Sequence, residues 1–113
     1  MIELVVGVGQ VSLLLRHAQS LKDKRQVLRG IIQKLKNEGF SVTECAYADV
    51  AKRASVGFAY IGTQPERVKA VLDRGLRFFD GHGEIVGSHT EIFDYTGEIE
   101  ITRDWDAEPE DFD

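Results

Sequence analysis

The feature that most constrains this chain is the order in which its apolar residues change period. Residues 2–15 alternate with a two-residue period, with Leu4, Val6 and Val8 on one side and Val5, Val11, Leu13 and Leu15 on the other. Apolar residues on both sides predict a strand at least partly covered on both faces, as in the middle of a sheet. From Ser20 the period lengthens, and Leu21, Val27, Leu28, Ile31, Ile32 and Leu35 fall on one side of a helical wheel. Ser20 with Asp23 three residues on forms a short capping box, and Gly39 is placed to end the helix after Asn37. Residues 40–47 and 54–61 predict two further strands joined by a loop or helical turn over 48–53. Thr63 and Glu66 form a second capping box, with Pro65 in the first turn, where its missing N–H does no harm. Val68, Val71, Leu72, Leu76 and Phe79 follow at helical spacing, and Gly75 within that stripe predicts close backbone approach to the sheet rather than a helix break. After a loop at 80–83, a last extended segment has Phe93, Tyr95, Ile99 and Ile101 alternating with Asp94, Thr96, Glu98 and Glu100.

Two helices that each follow a strand, with two strands meeting in the middle, define an α+β, ferredoxin-like β-α-β-β-α-β order. That order predicts a four-stranded antiparallel sheet with both helices on one face and the other face solvated or covered by a partner. Residues 1–103 are expected to form the single domain, and 104–113 an acidic, mobile tail without periodicity. With 42% apolar and 29% charged residues in a chain of 113, a packed core rather than disorder is expected.

The net charge of −5 is unevenly placed. Residues 104–113 hold six carboxylates and no base, which leaves residues 1–103 at +1, so an acidic isoelectric point does not argue against a nucleic-acid partner. A lone cysteine, Cys45, forbids an internal disulfide and suits a reducing compartment, here expected to be the cytoplasm. No stretch approaches the roughly 20 apolar residues of a membrane span, and the start of the chain lacks the pattern of a secretion signal, so no membrane association is expected.

No constellation proposes catalysis, a metal or a cofactor. Gly7-Val8-Gly9 lacks a third glycine at Ser12 and is not followed directly by a helix, unlike a dinucleotide loop. Acylphosphatases share this fold but need an arginine and an asparagine around a phosphate, and the lone asparagine, Asn37, lies at a helix end. His17, His82 and His89 lack ligand spacing and have no cysteine cluster to join.

Two surfaces are candidates for binding. Lys22, Arg25, Arg29 and Lys36 share one edge of the first helix, and Lys24 falls within its apolar arc, from which it is expected to snorkel past the end of the sheet. A helix N-terminus with added cations is a good anion site. Arg53 adds a basic group whose distance from that helix the sequence leaves open. The second candidate is the helix-free sheet face, where Val56, Phe58 and Tyr60 with Phe93 and Tyr95 are expected to form an apolar interface for another copy. Gly57-Phe58-Ala59-Tyr60-Ile61 also resembles the core of an RNA-recognition motif, whose aromatics stack bases. The match fails at Val56, Thr63 and Val5, so base stacking there is the weaker reading.

Ser20-Leu21-Lys22-Asp23-Lys24-Arg25 followed by Val27-Leu28, with Glu44 and the Asp49-x-x-x-Arg53-Ala54 block, resembles the paired signatures of the YlxP-like bacterial proteins. The resemblance spans most of residues 1–80 and departs at Ala51, where that family commonly carries tryptophan; the final strand is longer than usual and the acidic tail is an addition. It implies a ferredoxin-like fold, no established activity, and genes often placed beside translation and ribosome-maturation factors. From the basic edge and this context, the expected function is non-enzymatic binding to RNA or a ribosomal particle through Lys22, Lys24, Arg25, Arg29, Lys36 and Arg53. The alternative is a homo-oligomeric structural module or one regulated by a small molecule.

Overall fold

The computed structural model describes residues 2–95. Six elements follow in the order expected: β1 (Val5–Leu14), α1 (Leu21–Asn37), β2 (Ser41–Ala46), β3 (Arg53–Gly62), α2 (Pro65–Arg77) and β4 (Glu84–Asp94). The strands pair antiparallel in the spatial order β2-β3-β1-β4, so β2 and β4 are the two edges among the described residues. This is the ferredoxin-like arrangement, with both helices on one side of the sheet.

Local chemistry explains the helix ends. At the start of α1 the Ser20 hydroxyl accepts from the Asp23 N–H at 3.1 Å, while the Asp23 carboxylate accepts from the Gln19 N–H at 2.8 Å. At its end Gly39 takes φ +99°, a left-handed value that an L side chain resists. The second helix begins one residue later than its Thr63 cap predicts. Its N-cap is Gln64, which makes no side-chain cap bond, and Pro65 is the first helical residue.

Strand alternation decides what the helices cover. On β1, Val5, Gly7, Gly9, Val11 and Leu13 are buried on the helix side, and the residues between them are half-buried on the open side. The register pairs Gly9 with Phe58 and Val11 with Val56, so Ala54, Val56, Phe58 and Tyr60 also face the helices. Phe58 stacks on Phe79 at 5.7 Å between ring centroids and meets Phe40 edge-on at 5.1 Å. Gly9 makes room for that ring, because a Cβ there would lie 2.5 Å from Phe58. Gly75 plays the same part for Phe40, whose ring would be 2.9 Å from an added Cβ, and α2 continues through it unbroken; the close approach is to Phe40, just ahead of β2, and to Leu35 of α1, and not to the sheet as expected.

The β3 part of the expected apolar interface is therefore corrected. Val56 and Phe58 are 0% and 2% exposed and belong to the core, and half-buried Tyr60 packs on Phe40 at 5.7 Å. They do share one face, as the alternation predicts, but it is the face under the helices. Base stacking on Phe58 and Tyr60 falls for the same reason. Phe93 and Tyr95 are exposed, at 41% and 53%. The last strand begins at Glu84, well before the first aromatic of the expected segment, while Ile99, Ile101 and the acidic tail lie outside the described residues.

Gly30 has nothing within 4 Å of an added Cβ and sits exposed inside α1. Gly30→Ala is expected to stabilise the fold by about 1 kcal/mol, because it removes backbone freedom from the unfolded chain at no steric cost. Urea denaturation checks this; a midpoint that stays or falls rejects it.

Candidate functional site

The first turn of α1 carries the chain's densest set of cations, and the structure divides them into two kinds. Lys24 points inward and is 1% exposed. Its ammonium forms a 2.8 Å ion pair with Glu44 on β2 and donates to the carbonyls of Tyr47 at 2.8 Å, Ala48 at 3.2 Å and Arg53 at 3.3 Å. The expected snorkelling does not occur. A carboxylate and three carbonyls replace water around the ammonium, which is how a buried lysine is accommodated. Lys24 is thus a structural clamp, and its assignment to a nucleic-acid contact is corrected.

That clamp fixes the link between β2 and β3. Tyr47 adopts φ +64°, unusual for a residue with a bulky side chain, and its carbonyl is held by Lys24. The Arg53 guanidinium lies 4.5 Å from the centre of the half-exposed Tyr47 ring, a cation–π contact. Lys52 closes the other side. Its ammonium donates to the carbonyls of Arg16 at 2.8 Å and Ala18 at 3.0 Å, and its own carbonyl accepts from the Leu15 N–H at 2.7 Å. The β1–α1 and β2–β3 connections are laced together, and Arg53 comes to the N-terminal end of α1. The sequence left that proximity open; Lys24 and Lys52 decide it.

Lys22, Arg25, Arg29 and Lys36 are all exposed. Their spacing of three, four and seven residues keeps them on one edge of α1. On the opposite flank Asp23, Gln26 and Val27 border a cleft of about 310 Å³ with Arg16, His17 and His82. Within that cleft Asp23 is engaged with Gln19, and Arg16 is paired with Glu84 at 2.8 Å. Other cations of the fold are also paired, Lys69 with Asp73 at 3.1 Å and Arg74 with Glu38 at 3.2 Å. Lys22, Arg25, Arg29 and Lys36 pair with no carboxylate among the described residues. Six cations stand against one carboxylate along α1, and among the described residues only Lys24 has its partner within the fold.

The open sheet face has a different character. Val6, Val8, Gln10, Ser12 and Leu14 of β1 lie beside Ser55, Gly57, Ala59 and Ile61 of β3. A polar seam crosses it: Gln10 Nε2 donates to Ser12 Oγ at 2.8 Å and Ser55 Oγ at 2.6 Å, and Cys45 Sγ lies 3.4 Å from Ser55 Oγ. Ser55, Gly57, Ala59 and Ile61 therefore stand on the open face of β3 where Val56, Phe58 and Tyr60 were expected, while Phe93, opposite Val6, does lie on that face. His17 and His82 meet at one cleft, His89 stands apart beside Glu91, and no group of three or more potential metal ligands occurs among the described residues. No helix among the described residues is long and apolar enough to cross a membrane.

Sequence reading missed the roles of Tyr47 and Lys52. Nothing local marks Tyr47 as a left-handed residue, and nothing in the sequence around Lys52 shows that its ammonium reaches the carbonyls of Arg16 and Ala18. Glu44 drew attention only through the family resemblance, and its pairing with Lys24 gives that signature a physical meaning.

Comparison with known proteins agrees with the signatures. Residues 6–92 match a family described as "Protein of unknown function (DUF503)". Uncharacterized protein YlxP of Bacillus subtilis (strain 168) is 32% identical over 82 residues, covering 72% of this chain and 89% of that protein. Among solved structures, the de novo designed protein Foldit4 overlaps at a TM-score of 0.48 with 17% identity, over 85% of this chain and all of that one. A second de novo design, described as having a ferredoxin fold, overlaps at 0.43 with 10% identity, over 82% and 86%. The family match over nearly the whole described fold and the bacterial relative together decide the matter: this chain belongs to the YlxP-like DUF503 family.

Proposed function

We propose that this protein is a non-enzymatic RNA-binding protein that meets RNA, or a ribosomal particle, through the outer edge of α1. The observation that carries this reading is the row of exposed cations at Lys22, Arg25, Arg29 and Lys36, unpaired among the described residues, on a capped, rigid helix. Arg53 beside Tyr47 extends it at the N-terminal end. Cations at a helix start oppose the helix dipole at a cost of a few tenths of a kcal/mol each, so an anion at that edge relieves an unfavourable arrangement. Phosphate is the anion that a spaced row of lysines and arginines suits best.

Co-sedimentation with ribosomal subunits over a salt series tests the reading. Each phosphate contact contributes roughly −0.7 to −0.9 to the slope of log affinity against log salt. Four contacts predict a slope of about −3, and Lys22→Glu/Arg25→Glu should weaken binding and flatten the slope by roughly 1.5. Salt-independent association, or full binding by the double variant, rejects the proposal.

A further inference from the structure

We infer that Tyr47 is a stacking platform for a nucleobase of single-stranded RNA, set at the N-terminal end of the basic edge of α1. This rests on the RNA-binding role of that edge and names the form of RNA it takes and the residue that meets a base. Tyr47 directly follows β2, the strand over which α1 lies, and the Lys24 ammonium from the first turn of α1 holds its carbonyl at 2.8 Å. The residue therefore stands within one lysine side chain of the helix that carries Lys22, Arg25, Arg29 and Lys36.

The fold gives Tyr47 little reason to be aromatic. Its φ of +64° is a left-handed value that asparagine or glycine adopts at less cost. The side chain lies outside the apolar core, the residue is 41% exposed, and its hydroxyl has no hydrogen-bond partner among the described residues. A bulky residue held at a costly φ on the surface points to function rather than packing.

The contacts it does make suit stacking. The Arg53 guanidinium covers one face of the ring at 4.5 Å, so the exposure belongs to the other face and the rim. One ammonium pins both residues, since Lys24 also donates to the Arg53 carbonyl at 3.3 Å. The Tyr47 carbonyl accepts in addition from the Val50 N–H at 3.0 Å, which closes the turn. A ring on a backbone fixed in this way loses little further freedom when a base settles on it.

The chemistry of the β2–β3 link selects a base rather than a phosphate. The Lys52 ammonium is taken up by the carbonyls of Arg16 and Ala18, Lys24 is buried, and Asp49 is an exposed carboxylate that repels phosphate. Phosphates are left to the cations of α1. An aromatic face at the end of a basic track is how proteins hold single strands, with the backbone on the cations and a base on the ring. A duplex keeps its bases stacked inward and offers none along its length.

Tyr47→Asn in the full chain tests this, because asparagine tolerates the left-handed backbone and the circular dichroism spectrum should stay native. Binding is measured to a mixed-sequence single-stranded RNA and to an RNA duplex of equal length, each over a salt series. Loss of one stacked base should weaken single-strand binding by roughly 5- to 150-fold with no change in salt slope, and leave duplex binding as it was. Tyr47→Phe keeps the ring and should bind like the native chain. Irradiation of a single strand carrying 5-iodouridine should cross-link the native chain at Tyr47. Full single-strand binding by Tyr47→Asn, an equal loss on both RNAs, or cross-links that avoid Tyr47 overturn the inference. Lys22→Glu/Arg25→Glu judges the basic edge separately: if that variant loses binding and Tyr47→Asn does not, the edge stands and stacking falls. A native chain that binds neither RNA removes both.

Discussion

Lys24→Met is expected to destabilise the fold by about 3–5 kcal/mol, the range for removing one partner of a buried ion pair. The methionine retains most of the lysine stem's packing, so the loss isolates the ammonium. Glu44 would keep its charge beside an apolar neighbour, and the carbonyls of Tyr47, Ala48 and Arg53 would lose the donor that Lys24 gives them. The Glu44 side chain is 24% exposed, so water softens its isolation and favours the lower end of that range. Lys24→Met/Glu44→Leu should be less destabilising than the sum of the two single changes, since it leaves no unpaired charge. Urea unfolding of the three variants measures this directly. A single-variant loss under about 1 kcal/mol would show that the clamp is not a stabilising contact. The same variant separates structure from binding. If Lys24 touches no phosphate, Lys24→Met should leave the salt slope of RNA binding unchanged under conditions where the protein stays folded.

Phe58→Ala is the second large effect, expected at about 3–5 kcal/mol for removal of a buried aromatic ring. The ring is stacked on Phe79, edge-on to Phe40 and seated over Gly9, so its loss leaves a cavity bounded by rigid backbone. A residue on an exposed partner face would behave differently, leaving stability almost unchanged and altering association instead. Denaturation combined with light scattering separates these outcomes, and a stable, monomeric Phe58→Ala would return Phe58 to the surface.

Element order, the Ser20 cap and the Gly39 stop are local matters of spacing and backbone preference, and the sequence determined them by itself. It also placed Lys22, Arg25, Arg29 and Lys36 on one helix edge, because a helical repeat needs no tertiary knowledge. Which face of β3 lies beneath the helices was not determined that way. Alternation puts Val56, Phe58 and Tyr60 together, but their side of the sheet depends on how both crossovers pack, a property of the whole chain. Lys24 and Phe58 show the same division from opposite directions. A lysine in an apolar arc looked bound for solvent, and an aromatic row looked bound for a partner. Each is buried because of distant residues: Glu44 and the 47–53 backbone for Lys24, and Phe40, Phe79 and the bare face of Gly9 for Phe58. Contacts between residues far apart in the chain carry no local periodic signal, so only the tertiary structure decided which charges hold the fold together and which remain free to meet a partner.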